Sequence, residues 1–399
     1  MRESKGPLAG IKVLDLSSYI AAPYGCTLLA DLGAEIIKVE PPGGDTLRHY
    51  PSSLQQESRA FLGINRSKCD ILVDAKSPEG RVILHRLAAN ADVFVHNFRP
   101  SVPARLGIDY DTLKTINPRL IYCALTGYGQ TGPMKDKAGY DQVLQALTGI
   151  CEFQGEAKGQ PEIVYGSMVD FYAGSLIAYG VTAALYHRER TGEGQCVNLS
   201  LLATALAMQS ARFVWADGEP RDASRDLRSG GITGIHPTKE GQIYISANTP
   251  HFWRALCELI ELPDLAESPR YDSVRKRAEH AGEIVPKIRA ALLTKTAIEW
   301  EEIFGDKVPN CAVRTIEDMF DHPQVVAEQL VNKFDHPTVG SYRGLANPIK
   351  FSACELPKPF AAPVLGQHTE EILRGCDYSR DEIDALKTAG IVVPESPRE

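Results

Sequence analysis

The sequence predicts an α/β protein whose first half is a doubly wound parallel sheet, joined to a smaller α+β domain. Three observations carry this reading. Strand-like and helix-like runs alternate throughout the first half. The first strand, helix and strand fit within residues 11–39, which suits a right-handed crossover between parallel strands. Between Gly218 and Gly234 the composition turns polar, and the pattern changes beyond it.

Ile11 to Leu16 reads as a strand, Tyr24 to Leu32 as a helix closed by Gly33, and Ala34 to Val39 as the next strand. Asp70 to Asp74 is a strand; Ser77-Pro78-Glu79-Gly80 opens a helix to about Asn90; Asp92 to Val95 and Leu120 to Leu125 add two more strands. Asp170 to about Tyr186 is rich in alanine and glycine and reads as a buried helix, followed by another from Asn198 to about Val214. Gly241 to Ala247 then reads as a strand leading into helical stretches through Phe304. From Pro323 the tail is loop-rich until helical spacing resumes at Thr369–Leu373 and Asp381–Leu386. The expected domains are 1–217 with 330–399 and 230–325, with 218–229 as linker.

With 399 residues and 43% hydrophobic content the chain has enough apolar side chain for a sizeable core. Its net charge of −8 argues against a nucleic-acid partner. No apolar run of transmembrane length stands out, and the start lacks a signal-peptide core. A cytoplasmic location, or an organelle matrix, is expected without a membrane partner. The nine cysteines form no CxxC pair, so neither a metal site nor a redox motif is indicated. Ser17 to Pro23 after the first strand has no GxGxxG, which disfavours a nicotinamide oxidoreductase.

Asp170 is the residue of most chemical interest. It lies in GSMVDFYAG, at the start of the apolar helix, where small neighbours leave room for a ligand. Taken alone, an aspartate at a helix start is an N-cap. Taken as chemistry, it is a carboxylate able to attack an acyl carbonyl.

Blocks along nearly the whole chain decide between these. They include PLAGIKVLDLS from Pro7, DLGAEIIKVEPPGGD from Asp31, NRSKCDILVDAKSPEG from Asn65, VHNFRP from Val95 and AGYDQVLQALTG from Ala138. GSMVDFYAG from Gly166, RTGEGQCVNLSLL from Arg190 and APVLGQHTEEIL from Ala362 continue the series. In order and spacing the chain resembles the family III CoA transferases. That resemblance implies a Rossmann-like large domain built from both ends of the chain, a small middle domain, and a homodimer of interlocked rings. It implies an acyl-CoA and a small carboxylic acid as substrates, with no prosthetic group and no metal. The branch it is most similar to points to a short dicarboxylate acceptor with succinyl-CoA as donor.

The resemblance also assigns residues. Asp170 matches the family's nucleophile. Ile20, Ala21, Val73, Asp74, Ala75, Lys76, Asn97, Phe98, Arg99, Arg105, Tyr140 and Asp141 fall at coenzyme-binding positions. Lys76 and Arg105 would meet phosphates, and Phe98 would lie beside the adenine or beneath it. Pro41 stands where a relative has a phosphate-binding arginine, so Arg48 is a substitute contact. Tyr19, Arg228, Gly230 and Gly231 are substrate-side candidates, the glycine pair as a mobile loop or a plain linker. Backbone N–H groups near Ala21 and Ala22, or at the Asp170 helix start, would serve the oxyanion. Ile20 replaces the glutamine of formyl-CoA transferases, which disfavours formyl and oxalyl substrates.

The rival within the fold is an α-methylacyl-CoA racemase, which needs a histidine in Gly-His-Asp as a second acid–base group. Here that stretch reads Gly139-Tyr140-Asp141, and His96, His236, His251 and His368 are read as surface or packing residues. A coenzyme-binding protein without catalysis is the remaining alternative.

Overall fold

A computed structural model of the chain describes residues 5–54, 57–155, 159–220 and 231–392. Its contacts divide the chain into two units, Met1–Val214 with Glu328–Glu399, and Trp215–Ala327.

The larger unit is organised by six parallel strands: β1 (Lys12–Asp15), β2 (Glu35–Glu40), β3 (Lys68–Leu72), β4 (Val93–His96), β5 (Ile121–Thr126) and β6 (Gln195–Ser200). They stand in the order β3-β2-β1-β4-β5-β6. The direction of winding reverses between β1 and β4, and it is at such a switch point that the loops diverge and leave a crevice for a ligand.

The central strands β4 and β5 read as nearly continuous apolar runs because both faces of the sheet are covered. Alternate residues enter two separate cores. Val13, Ile36, Val93, Ile121 and Cys123 join Leu29, Ile177 and Val181 on one face; Leu14, Ile71, Phe94 and Tyr122 join Ile83, Leu84 and Leu87 on the other. The first face is covered by the first helix, Ala21–Asp31, and the long helix, Met168–Thr191. The second is covered by Pro78–Ala89 and by Ile372 and Leu373 from the far end of the chain.

Two readings of the sequence are corrected. Gln195–Ser200, partly taken as helix, is the edge strand β6, aligned residue by residue with Ile121–Thr126; the helix starts only at Leu201, where the Ser200 hydroxyl accepts from the Ala203 amide. The tail beyond Pro323 contains a hairpin, Val331–His336 paired with Gly340–Leu345. Met168–Thr191 is also, by length and composition alone, apolar enough to cross a membrane. One side of it, through Val169, Ala173, Ile177 and Val181, is buried in the core of the sheet domain, as in a core helix.

The first and long helices approach through glycine. A Cβ on Gly174 would lie 2.8 Å from the Ala21 carbonyl oxygen and from Tyr24 Cδ1, and one on Gly25 would lie 2.9 Å from the Gly174 oxygen. The contact therefore needs hydrogen at both positions. Gly174→Ala is expected to lower stability by about 1–3 kcal/mol by overpacking. Gly180→Ala, whose Cβ would meet only Val197 Cγ1 at 3.1 Å, should be close to neutral. Denaturant midpoints of the two variants check this.

The smaller unit holds a three-stranded antiparallel sheet of Gly234–Pro237, Gln242–Ile245 and Asn310–Ala312. Its core is formed by Ile243, Ile245, Trp253, Leu256, Ile288, Trp300 and Phe304.

Candidate active site

Parallel strands send all their carboxyl ends to one edge, and the candidate residues collect there. Ser17 to Ala22 follow β1, Val73 to Lys76 follow β3, and Asn97 to Arg99 follow β4. Asp170 reaches the same region because the start of its helix is fastened both to the first helix and to the segment at Asp141.

Asp170 is the third residue of the long helix, and the structure shows that it is not the cap. The Ser167 side chain makes no capping bond either, and the Ser167 backbone is left-handed at φ 55°. The acceptor comes from elsewhere: Asp141 Oδ2 accepts from the amides of Val169 at 2.7 Å and Asp170 at 3.1 Å. Asp141 is 2% exposed, and Gln145 Nε2 donates to its other oxygen. Gln145 is itself fixed by paired bonds with the Val164 backbone at 2.8 and 2.9 Å.

The Asp170 carboxylate is half-buried and has no hydrogen-bond partner among the described residues. Burial, and then the charge of Asp141, push its pKa up to about 7. A carboxylate in this state is ionised about half the time at neutral pH and is more basic than usual.

The loop after β1 is held rigidly. Asn97 grips Ser18 twice, its Oδ1 accepting from the Ser18 amide at 3.1 Å and its Nδ2 donating to the Ser18 carbonyl at 2.8 Å. This bridges the β1–β4 switch point. Asp45 Oδ1 accepts from the Tyr19 amide at 3.1 Å, and Tyr19 is held at φ 65°, a conformation that costs a non-glycine residue about 1 kcal/mol. The first helix then begins with the amides of Ala21 and Ala22, which find no acceptor among the described residues, because Ile20 supplies no side-chain cap. The corresponding amides at the Asp170 helix start are occupied by Asp141. Of the two oxyanion-donor sets expected from the sequence, the pair at Ala21 and Ala22 is free among the described residues, whereas Val169 and Asp170 are engaged.

Beneath this loop lies a buried ionic network that the motif reading missed. Lys38 and Lys68 are fully buried. Lys38 donates to the Ser17 carbonyl at 2.9 Å and to Asp45 Oδ2 at 2.8 Å. Lys68 donates to Asp15 Oδ2 and the Pro23 carbonyl, both at 2.8 Å, and to Asn65 at 2.9 Å. Asp15 in turn accepts from the Ser17 amide and hydroxyl. Burial opposes ionisation of Asp15, but Lys68 and Lys38 more than offset it and hold the carboxyl at about 2. Arg48, suggested above as a phosphate contact, belongs to this network. Its guanidinium is fully buried between Glu40 and Glu57, both at 2.8 Å, and lies 3.7 Å from the centre of the Phe61 ring.

The remaining candidates divide by exposure. Lys76, Arg99 and Arg105 are exposed and have no carboxylate partner among the described residues. Val73 is buried, with its amide on the Glu40 carbonyl; the Asp74 carboxylate accepts from the Lys76 amide at 3.0 Å, and the Ala75 amide donates to Val73. Phe98 stacks on His96 at 5.4 Å. His96 is a buried packing residue whose pKa burial lowers to about 3. The Ile20 side chain packs against the Leu47 and Phe61 cluster. Tyr19 lies edge-on between Tyr50 at 6.2 Å and Tyr140 at 5.8 Å. Gly231, in the smaller unit, is exposed at φ 85°, while Arg228 and Gly230 lie outside the described residues.

The model of the family described as CoA-transferase family III matches residues 8–369. A succinyl-CoA:glutarate CoA-transferase of Mus musculus is 34% identical over 398 residues, covering 98% of this chain and 91% of that protein. A succinate–glutarate CoA-transferase of Agrobacterium fabrum is 32% identical over 390 residues, covering 94% and 96%. Among crystal structures, a CAIB/BAIF family protein from Brucella suis matches with a TM-score of 0.82 at 30% identity, over 94% of this chain and all of that one.

Proposed function

Since the chain belongs to CoA-transferase family III and is thereby an acyl-CoA:carboxylate CoA-transferase, we propose that it carries coenzyme A from succinyl-CoA to a short dicarboxylate through covalent intermediates on Asp170. One observation carries the mechanism. Asp170 is a half-buried, unpartnered carboxylate whose pKa lies near 7, on a helix that packs against the start of another with two free amides.

The steps balance without a further reagent. The Asp170 carboxylate attacks the thioester carbonyl and expels the coenzyme thiolate, giving a mixed anhydride. That thiolate attacks the aspartyl carbonyl, releases the donor acid and leaves an enzyme thioester. The acceptor carboxylate attacks this thioester to form a second anhydride, and the thiolate then takes the acceptor's acyl group and frees Asp170. Each addition places negative charge on an oxygen, which the Ala21 and Ala22 amides are suited to receive. Holding them by Asn97 and the buried ions removes the need to reorganise the loop at each step.

Exposed, unpaired Lys76, Arg99 and Arg105 beside the β3 and β4 ends support coenzyme phosphates as their counter-charge. A homodimer is part of the proposal: Tyr172, Tyr179 and Tyr186 repeat every seventh residue along the long helix, and Tyr179 and Tyr186 are 74% and 66% exposed. Such an aromatic stripe favours burial against a partner. The reaction would run in the cytoplasm or an organelle matrix.

The test is to incubate the protein with succinyl-CoA, trap with hydroxylamine or borohydride, and map the adduct by mass spectrometry while screening carboxylic acids. A hydroxamate on Asp170 with acceptor-dependent formation of new acyl-CoA is the expected result. Exchange of an α-proton without an adduct would instead identify a racemase, and coenzyme binding with neither would identify a binding protein.

A further inference from the structure

We propose that Asp141 is the positioning residue of the nucleophile: its carboxylate fixes the first turn of the long helix and sets a like charge beside Asp170 that is relieved each time Asp170 is acylated. This rests on the reading of Asp170 as the nucleophile and gives Asp141 a role other than a contact with the pantetheine arm.

The geometry carries the argument. A helix start exposes amides that need an acceptor, and the usual source is a side chain just before the helix. Here Ser167 is left-handed and provides none. Asp141, remote in sequence, takes the amides of Val169 and of Asp170 itself. One of the two bonds therefore ends on the nucleophile's own backbone. Because Gln145 holds the other oxygen and the Val164 backbone holds Gln145, the carboxylate has little freedom to move.

An amide oxygen would still accept from these two amides, with its nitrogen then facing the Gln145 donor. What a carboxylate adds is charge. Two carboxylates near one helix end repel, and helix amides stabilise only part of that charge. In the free enzyme the repulsion raises the basicity of Asp170. In the anhydride and the thioester Asp170 is neutral, so the repulsion is absent. The free nucleophile is thereby raised in energy relative to the covalent states, which favours attack and disfavours reversal to an idle carboxylate.

Among the described residues, the elements packed on the long helix supply no second charge of this kind. The elements packed on the long helix carry Tyr24, Cys26 and Asp31 from the first helix, Tyr122 and Cys123 from β5, Cys196 from β6, and Asp141; the short helix Leu201–Ala207 carries no titratable residue. Asp31 is paired with Arg66. Asp141, bonded to the Asp170 amide, is the charged neighbour of Asp170 among the described residues.

The experiment compares wild type with Asp141→Asn by the pH dependence of kcat/KM for succinyl-CoA, with trapping at Asp170 as the reference. Asparagine retains an acceptor for the two amides and removes the charge. The acid limb of the profile is expected to move to lower pH by about one unit, and the plateau rate to fall by roughly three- to tenfold as the nucleophile loses basicity. KM for succinyl-CoA should change less than twofold. A purely structural Asp141 would lower the rate without moving the limb, and a coenzyme contact would raise KM with the limb in place; either result overturns the proposal. If the asparagine variant does not fold, judged by circular dichroism and coenzyme binding, the neutral cap Asp141→Ser is subject to the same criterion. If wild type shows no adduct at Asp170, the reading beneath the proposal fails first, and the trapping arm distinguishes that failure from an unmoved limb.

Discussion

Asp170→Asn is expected to reduce transfer by about a thousandfold or more while making the protein more stable above neutral pH. The activity loss follows from chemistry, since an amide does not attack a thioester and no neighbouring carboxylate can take over: Asp141 is buried with both oxygens engaged. The stability gain follows from the raised pKa. A carboxyl whose pKa rises from 3.8 to about 7 on folding binds its proton more tightly in the native state, so its contribution is favourable at low pH. That contribution fades as pH rises from about 4 through 7, and above 7 the native state bears the cost of a half-buried charge beside Asp141. Removing the charge should recover on the order of 2 kcal/mol at pH 8, after allowance for solvent screening, and almost nothing at pH 4. Thermal unfolding of both proteins at the two pH values measures this. Equal melting temperatures at pH 8 would mean that Asp170 carries no strain of this kind.

The second large effect is expected away from the chemistry. Lys68→Met should cost about 3–5 kcal/mol, because it leaves Asp15 buried with part of its counter-charge removed. The loss reaches the active site as well. Lys68 holds the Pro23 carbonyl, and Asp15 holds Ser17, at the two ends of the loop that presents Ala21 and Ala22. The wild-type pair is also a pH device with a known sign. With the Asp15 carboxyl held at about 2, its stabilisation is complete above about pH 4 and is lost between 4 and 2. The methionine variant should lose its dependence on this window, and denaturant titrations at pH 3 and pH 6 test that. Exchange of Lys76, an exposed cation, for methionine serves as the control and should leave stability unchanged.

The sheet was legible in the sequence because its strands are covered on both faces. Val93-Phe94-Val95 and Ile121 to Leu125 are unbroken apolar runs, and Pro78 after Ser77 marks a helix start unambiguously. Asp170 was singled out by the blocks around it, while its local setting suggested a cap; the structure places it inside the first turn instead. The true cap, Asp141, was hidden because capping was supplied across 28 and 29 residues of chain, beyond any local pattern. The ionic network was partly visible. Lys38 and Lys68 lie in strands of the sheet, where a lysine needs a buried partner, yet the partners come from segments apart in sequence: the end of β1 and the residues after it, the turn at Asp45, and Asn65. Asn198–Ser200 was misjudged because the end of a half-buried edge strand with a capping serine resembles the first turn of a helix.

The larger unit takes its residues from both ends of the chain, with the smaller unit inserted between them. Its edge strand β3 is finished by residues 360–373: Phe360 bonds Ser67, His368 and Gly366 bond Asp70, and Leu373 enters the core with Ile71 and Leu84. A ribosome delivers these pieces after all six strands. Throughout synthesis of the middle of the protein, the β3 margin and the acidic groups behind it are left open to water and to other nascent chains. Closure of this margin therefore waits on residues 360–373, and a chain truncated before residue 360 would hold a sheet that is unsealed on one side rather than a smaller working catalyst.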